Sequence, residues 1–359
     1  MTVYNFSAGP AMLPVPVMER VKEEFLNFNN MGASVIEISH RSKEFEAVLA
    51  ATDDLFRKLT GLPQTHEILY CHGGAQMQFS MVPMNLLLSK HHRTALYVET
   101  GNFAKIARTE AEKFGTIHVV ADGAESNYSE IPAMPALNEQ ASYVHITSNN
   151  TLVGTRWHEF PDTGVVPLVV DATSEILSRK MDYSKFGLLY AGTQKNLGPS
   201  GMSMALVRKD LIGHSGPFCP KLMDYKVYQD NHSMANTPNT FAIYMIYYVL
   251  QWLEGQGGVE AMEKINAKKA ETLYTAIDAS DFYQGTAHKD HRSHMNATFV
   301  LPDDELLQKF LAEALDNGLY ALKGHRLVGG ARASMYNAMP IEGVQKLVEF
   351  MKEFERTNG

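Results

Sequence analysis

Between residues 67 and 207 the chain repeats one arrangement: a short, nearly continuous apolar run, a turn, then often a stretch of helical length. The runs are 67–71 (EILYC), 95–99 (ALYVE), 117–120 (IHVV), 143–147 (YVHIT), 168–171 (LVVD), 188–191 (LLYA) and 202–207 (MSMALV), with helix-like stretches such as 75–88 and 104–114 between them. Strands apolar on both faces need cover on both faces, and parallel neighbours need a crossover between them. The pattern therefore predicts an α/β fold with a mostly parallel sheet flanked by helices. Beyond about residue 258 the texture changes. A charged helical stretch over 259–277, a strand at 296–301, a helix over 304–317 and a closing helix after Pro340 predict a smaller α+β domain. The expected division is an N-terminal segment 1–15, a large domain 16–257 and a small C-terminal domain 258–359. A chain of 359 residues is long enough for two cores.

Charge and cysteine usage narrow the function. Lys plus Arg is 32 against 40 Asp plus Glu, a net charge of −8, which opposes a nucleic-acid or anionic-membrane surface. It also argues weakly against an anionic substrate. Cys71 and Cys219 are far apart and form no CxxC, so neither a disulfide framework nor a zinc-thiolate site is expected, and a cytoplasmic setting fits. The first basic residue is Arg20, which does not suit a secretory signal. The apolar run 241–250 contains Tyr244, Tyr247 and Tyr248 and is too short to span a bilayer; it reads as a buried helix. His288, His291 and His294 sit among Lys289 and Arg292 and read as a solvated basic loop rather than a metal site, and His91-His92-Arg93 reads as a surface turn. No metal is expected.

Ligands of open α/β sheets bind at the carboxyl ends of strands, and three such ends carry unusual residues. Gly73-Gly74-Ala75-Gln76 follows EILYC and opens a helix, where backbone N–H groups could cradle a phosphate; a plain strand-to-helix turn is the equal alternative. Asp171 ends the run VPLVVD, where a buried carboxylate needs a cationic or donor partner, unless it is only a structural cap. Lys195 lies in a glycine-flanked turn between two buried strands, where desolvation would lower its pKa toward that of a nucleophile; alone it would pass for a surface lysine. A lysine for an imine, an acid for a ring nitrogen and an anion cradle are together what pyridoxal phosphate requires.

At this point whole segments match. NFSAGPAMLP at the start, SHRSKEF at 39–45, HGGAQMQF at 72–79, YAGTQKNLGPSG at 190–201, SMANTPNTF at 233–241 and ALKGHRLVGGARASMYNAMP at 321–340 resemble the phosphoserine aminotransferases, a class V family of fold-type I pyridoxal-phosphate enzymes. The resemblance covers essentially the whole chain. It implies that Lys195 forms the imine with the cofactor and that Asp171 pairs with its pyridine nitrogen. Ala75, Gln76 and Gln194 would hold the cofactor phosphate, Thr151 its phenolic oxygen, and Phe103 would stack on its ring. Asn236 and Thr237 would reach the phosphate from the second subunit of a homodimer with composite sites. Ser7 and Arg41 match substrate-contact positions, and Arg332 would clamp the α-carboxylate. His40, Arg41, His325 and Arg326 would receive the substrate's phosphate or distal carboxylate, the last two across the dimer interface.

Many members have Arg where Gln76 stands and Trp where Phe103 stands, so this chain lacks one cationic contact and presents a smaller stacking surface. The implied reaction exchanges amino groups between small amino and keto acids: O-phosphoserine and 2-oxoglutarate give 3-phosphohydroxypyruvate and glutamate, and 4-phosphohydroxythreonine would be a further substrate. The rivals are another class V enzyme, either an alanine- or serine-glyoxylate aminotransferase or a cysteine desulfurase, which needs a reactive thiol, and a non-catalytic protein binding a nucleotide at Gly73-Gly74.

Overall fold

The computed structural model describes residues 3–88, 93–137 and 140–359; the expected turn at His91-His92 lies outside them. All seven apolar runs are strands of one sheet: β1 (His66–His72), β2 (Thr94–Glu99), β3 (Thr116–Asp122), β4 (Val144–Thr147), β5 (Leu168–Asp171), β6 (Leu188–Gly192) and β7 (Met202–Arg208). The spatial order is β1-β7-β6-β5-β4-β2-β3. Only β7 runs against its neighbours; every other pairing is parallel. The sheet is therefore mostly parallel, and the carboxyl ends of β1, β2, β4, β5 and β6 point the same way.

Side chains alternate across a strand, and here each side meets its own core. Ile68, Tyr70, Ile146, Val170 and Leu189 face a core completed by Phe45, Leu49 and Phe56 of the helix Lys43–Thr60 and by Ile243 and Leu250 of the helix Thr240–Gly255. The latter is the run read as a buried helix. Leu69, Tyr97, Val169, Leu188 and Tyr190 face the other core, covered by Phe79, Val82 and Leu86 of the helix Ala75–Leu86 and by Ala107 and Ala111 of the helix Asn102–Ala111.

A third core belongs to the C-terminal part. There the antiparallel strands β8 (Gln284–Gly285), β9 (Asn296–Val300) and β10 (Ala331–Ser334), with β9 central, carry the helices Gly258–Asp278, Asp304–Asp316 and Ile341–Asn358. Two features refine the expected division. The helix Gly258–Asp278 crosses it: Val259 and Met262 pack in the first core, Ala270, Leu273 and Ile277 in the third. The N-terminal segment joins the small domain, since Phe6 is buried in its core and Tyr4–Asn5 pairs in parallel with Leu319–Tyr320.

The basic stretch 288–294 is less solvated than expected. Arg292 forks onto Asp278 at 2.9 and 2.7 Å, and half-buried His294 lies 3.3 Å from the Arg156 guanidinium, because the loop is the return leg that docks β9 onto the large domain. Among the described residues no cluster of three or more His, Cys, Asp or Glu could hold a metal, and no helix is long and apolar enough to cross a membrane.

Candidate active site

A cavity of about 470 Å³ opens where β1, β4, β5 and β6 end. The turn after β6 delivers Lys195 into it. The side chain is buried, and its Nζ donates to Thr151 Oγ1 at 2.7 Å. Burial pushes the amine from 10.5 down to about 7; the Asp171 charge works against this shift and the Arg332 charge adds to it. A shift in this direction brings the free lone pair, the form that acts as nucleophile or base, within reach near neutral pH.

Asp171 closes β5, buried on all sides, and its Oδ1 accepts the Thr173 backbone N–H at 2.9 Å. Burial pushes its carboxyl up, while the Thr173 hydrogen bonds and the Lys195 charge pull it down. A second cation beside it would complete its ionisation.

At the other end of the cavity the helix Ala75–Leu86 begins at Gly74, which caps the helix with no side chain, so first-turn N–H groups are free to meet an anion. Gly192 makes room for this cradle. A Cβ there would lie 2.5 Å from Gln194 Oε1 and 3.2 Å from the Ala75 nitrogen. Phe103, in the first turn of the helix Asn102–Ala111, and Gln76 line the same cavity.

On the small-domain side Arg332 projects from β10, its Nη1 3.4 Å from the Thr151 carbonyl. His325 also lines this chain's own cavity, whereas the resemblance put it across the interface. Its pKa is lowered by burial and by the charges of Arg332 and Arg326. Arg326 and Arg41 are exposed, and neither they nor His40 belong to the cavity lining. His40 keeps a buried Nε2 without a partner. Ser7 is turned onto Asn5, its hydroxyl donating to Oδ1 at 2.6 Å. Asn236 Nδ2 sits 3.1 Å from His72 Nε2 with its own Oδ1 buried and unpaired, and Thr237 is exposed; both lie outside the cavity lining.

The cavity also uses residues that the sequence reading did not single out. Ala8 and Gly9 form a roof: Ala11 N–H donates to the Gln194 carbonyl at 2.9 Å, and a Cβ at Gly9 would touch Lys195 Cε at 3.4 Å. Thr147 and Asn149 line a wall, and Thr147 Oγ1 and Asn149 Oδ1 are buried with no partner. The polar run TSNNT at 147–151, following YVHI without a break, was the available signal. Such orphaned polar atoms require a ligand or ordered water.

An anion cradle, a buried carboxylate, an amine of lowered pKa and unpaired polar atoms between them fit pyridoxal phosphate. Neither thiol competes for the chemistry. Burial pushes Cys71 up to about 12 and, with the Asp224 charge, Cys219 up to about 11, which disfavours the thiolate that a desulfurase needs.

Comparison with known proteins gives the same answer. The family model for aminotransferase class-V matches residues 3–347. The phosphoserine aminotransferase of Geobacillus kaustophilus is 52% identical over 356 residues, 98% of each chain. The solved structure of phosphoserine aminotransferase from Bacillus circulans subsp. alkalophilus superposes with a TM-score of 0.97 at 45% identity, covering 99% of both chains. That of the PLP-bound enzyme from Trichomonas vaginalis gives 0.93 at 38% identity over 98% of this chain and 99% of that one. With the lysine, the carboxylate and the cradle at the ends of the strands these relatives share, the chain belongs to the class V aminotransferases and, within them, to the phosphoserine aminotransferase family.

Proposed function

We propose that this protein is a pyridoxal-phosphate-dependent transaminase that moves an amino group between O-phospho-L-serine and 2-oxoglutarate, giving 3-phosphohydroxypyruvate and L-glutamate. The observation that carries the reading is Lys195: a buried amine of lowered pKa, bonded to Thr151 and lying with Asp171 and Arg332 in one cavity. When bound, pyridoxal phosphate supplies an electron-withdrawing ring that takes up the electron pair left as a substrate Cα–H bond breaks.

The chain's own residues supply the rest. Lys195 Nζ takes the Cα proton as general base and returns it as general acid. Asp171 holds a proton on the ring nitrogen, which keeps that ring electron-poor. Ala75 and Gln76 N–H groups with the Gln194 amide bind the cofactor phosphate, Thr147 and Asn149 offer their unpaired atoms, and Phe103 packs on the ring. Arg332 receives the α-carboxylate shared by both amino acids, the planar fork suited to it. His325 and Arg326, with His40 and Arg41, receive the distal phosphate or carboxylate.

Asn236, Thr237, His40 and Arg41 lie outside this chain's cavity, which supports a homodimer in which they serve the partner's site or a site shared between the two subunits. The same anion pocket would accept 4-phosphohydroxythreonine. Two unpaired cysteines support a cytoplasmic setting.

The test is an absorbance scan of purified protein before and after adding phosphoserine, with borohydride trapping and peptide mapping. The expected result is a visible chromophore bleached by phosphoserine and a trapped cofactor on Lys195. A colourless protein with no label on Lys195 would overturn the reading.

A further inference from the structure

Lys269 has no exposed surface. It lies midway along the helix Gly258–Asp278, and its Nζ donates to three backbone carbonyls: Met335 at 3.0 Å, Tyr336 at 2.8 Å and Met339 at 3.1 Å. An ammonium has three N–H donors and a neutral amine only two, so three acceptors specify the charged form. Burial penalises that charge and pushes the amine down to about 7 with no side-chain carboxylate opposing it, so the three carbonyls are what hold the third proton in place. A methionine would fill the same space without the charge. A charge kept there at a cost marks a task.

The task is legible in the turn that the ammonium grips. One helical turn before Lys269, on the same helix face, Asn266 donates to Asn337 Oδ1 at 2.9 Å. The Asn337 backbone N–H donates to Asn196 Oδ1 at 3.0 Å, and Asn196 directly follows Lys195. The Tyr336 hydroxyl donates to the Ala8 carbonyl at 2.8 Å and accepts from Asn296 Nδ2 at 3.2 Å. Its ring centroid lies 6.0 Å from Lys195 Nζ. Two neighbouring residues of one turn thus hold the roof and the base of the catalytic lysine.

We infer that Lys269 is a positioning residue for transamination: its ammonium clamps the 335–339 turn to the helix, and through Tyr336 and Asn337 that turn fixes the Lys195 amine and the Ala8-Gly9 roof. The inference rests on the proposed function and reaches a residue that touches neither substrate nor cofactor.

Two variants test it. Lys269→Met keeps the volume and removes the ammonium; Asn196→Ala leaves Lys269 its three carbonyls and removes the Oδ1 that accepts the Asn337 backbone N–H. The pH midpoint of the Lys195 amine is read by competitive acetic anhydride labelling of the full-length cofactor-free protein. On the holoenzyme, kcat and KM are measured with phosphoserine and with glutamate. Loosening the turn admits water and relieves the desolvation of Lys195, so in both variants the midpoint should rise by about one pH unit. kcat should fall about tenfold or more, with KM for glutamate within about twofold of wild type.

A purely structural lysine would lower the melting temperature and leave the midpoint and kcat unmoved, which would overturn the inference. If Lys269→Met does not fold, Asn196→Ala alone decides, and an unshifted midpoint overturns the inference again. A wild-type protein with no Lys195-linked chromophore would instead defeat the proposed function itself.

Discussion

Lys195 is an ordinary side chain given an unusual acidity by its surroundings, and the consequences can be measured. Lys195→Ala should cut transamination by about a thousandfold or more, the scale expected on losing both an anchoring nucleophile and a general base, and should abolish the visible absorbance of the purified enzyme. Its pKa also links to stability. An unfolded chain keeps this proton to about 10.5, whereas the folded, cofactor-free protein releases it near 7. Between those values the unfolded state binds more protons, so stability should rise with pH across that window, while below it the penalty of the buried charge is full and independent of pH. Denaturant melts of cofactor-free wild type and Lys195→Met, compared at pH 6, 8 and 9.5, should show the variant with the shallower rise.

Arg332 and His325 make a complementary pair of predictions. Arg332→Leu should weaken both amino acids by ~2–4 kcal/mol, the range for removing a charge-assisted contact to a carboxylate. A paired His325→Ala and Arg326→Ala change should raise KM for phosphoserine more than for glutamate; equal effects on the two would place the distal anion elsewhere. Among these residues Lys195 and Asp171 stood out because each is an ionisable group at the end of an apolar run or in a glycine-rich turn, whereas Arg332 came only from the family resemblance. Thr147, Asn149 and Lys269 were not. Nothing in the run of letters distinguishes a threonine with an empty hydrogen bond, or a lysine turned inward among 32 basic residues.

At the level of elements, seven strands were readable because a strand covered on both sides is a run of apolar residues whatever its neighbours. Their order was not. Pairing is a property of the folded sheet, and nothing local in 202–207 announces that β7 inserts between β1 and β6 in the opposite sense. The junction of β6 with the helix Ala75–Leu86 gives the sharpest test at this scale. Gly192→Ala would bring a Cβ to 2.5 Å from Gln194 Oε1 and 3.2 Å from the Ala75 nitrogen, displacing the amide from the phosphate end of the cavity. Pyridoxal phosphate should bind about tenfold or more weakly by equilibrium titration, while far-ultraviolet circular dichroism stays that of wild type. The negative charge of the whole chain, which at first seemed to disfavour anionic ligands, is irrelevant here. A helix terminus and a few inward-facing cations set the local potential.

For the whole molecule, the expected boundary near residue 258 proves to be a shared helix, since Gly258–Asp278 packs into both cores. The sequence marked the Gly255–Gly258 turn and hid the sharing, because an amphipathic stripe does not say which core it will meet. The proposed dimer has its own test. Lys195→Ala chains mixed with Asn236→Ala/Thr237→Ala chains form hybrids in which, if these residues serve the partner, one site carries both defects and the other none. Random reassortment should then recover about a quarter of wild-type activity from two nearly inactive parents. Hybrids no more active than the parents would assign Asn236 and Thr237 to their own chain's site.

The seating of Phe6 in the C-terminal core, with Tyr4–Asn5 paired to Leu319–Tyr320 and Ala8 held by Tyr336, also orders events in time. A ribosome delivers the N-terminal residues first and their partners more than 300 residues later. Between about residues 208 and 319 a nascent chain can hold the seven strands and Lys195 but still lacks the strand that pairs with Tyr4–Asn5 and the Tyr336 hydroxyl that holds Ala8. A chain stalled short of residue 319 would leave Lys195 without that part of its roof, so the cavity is completed only once the C-terminal core has been made.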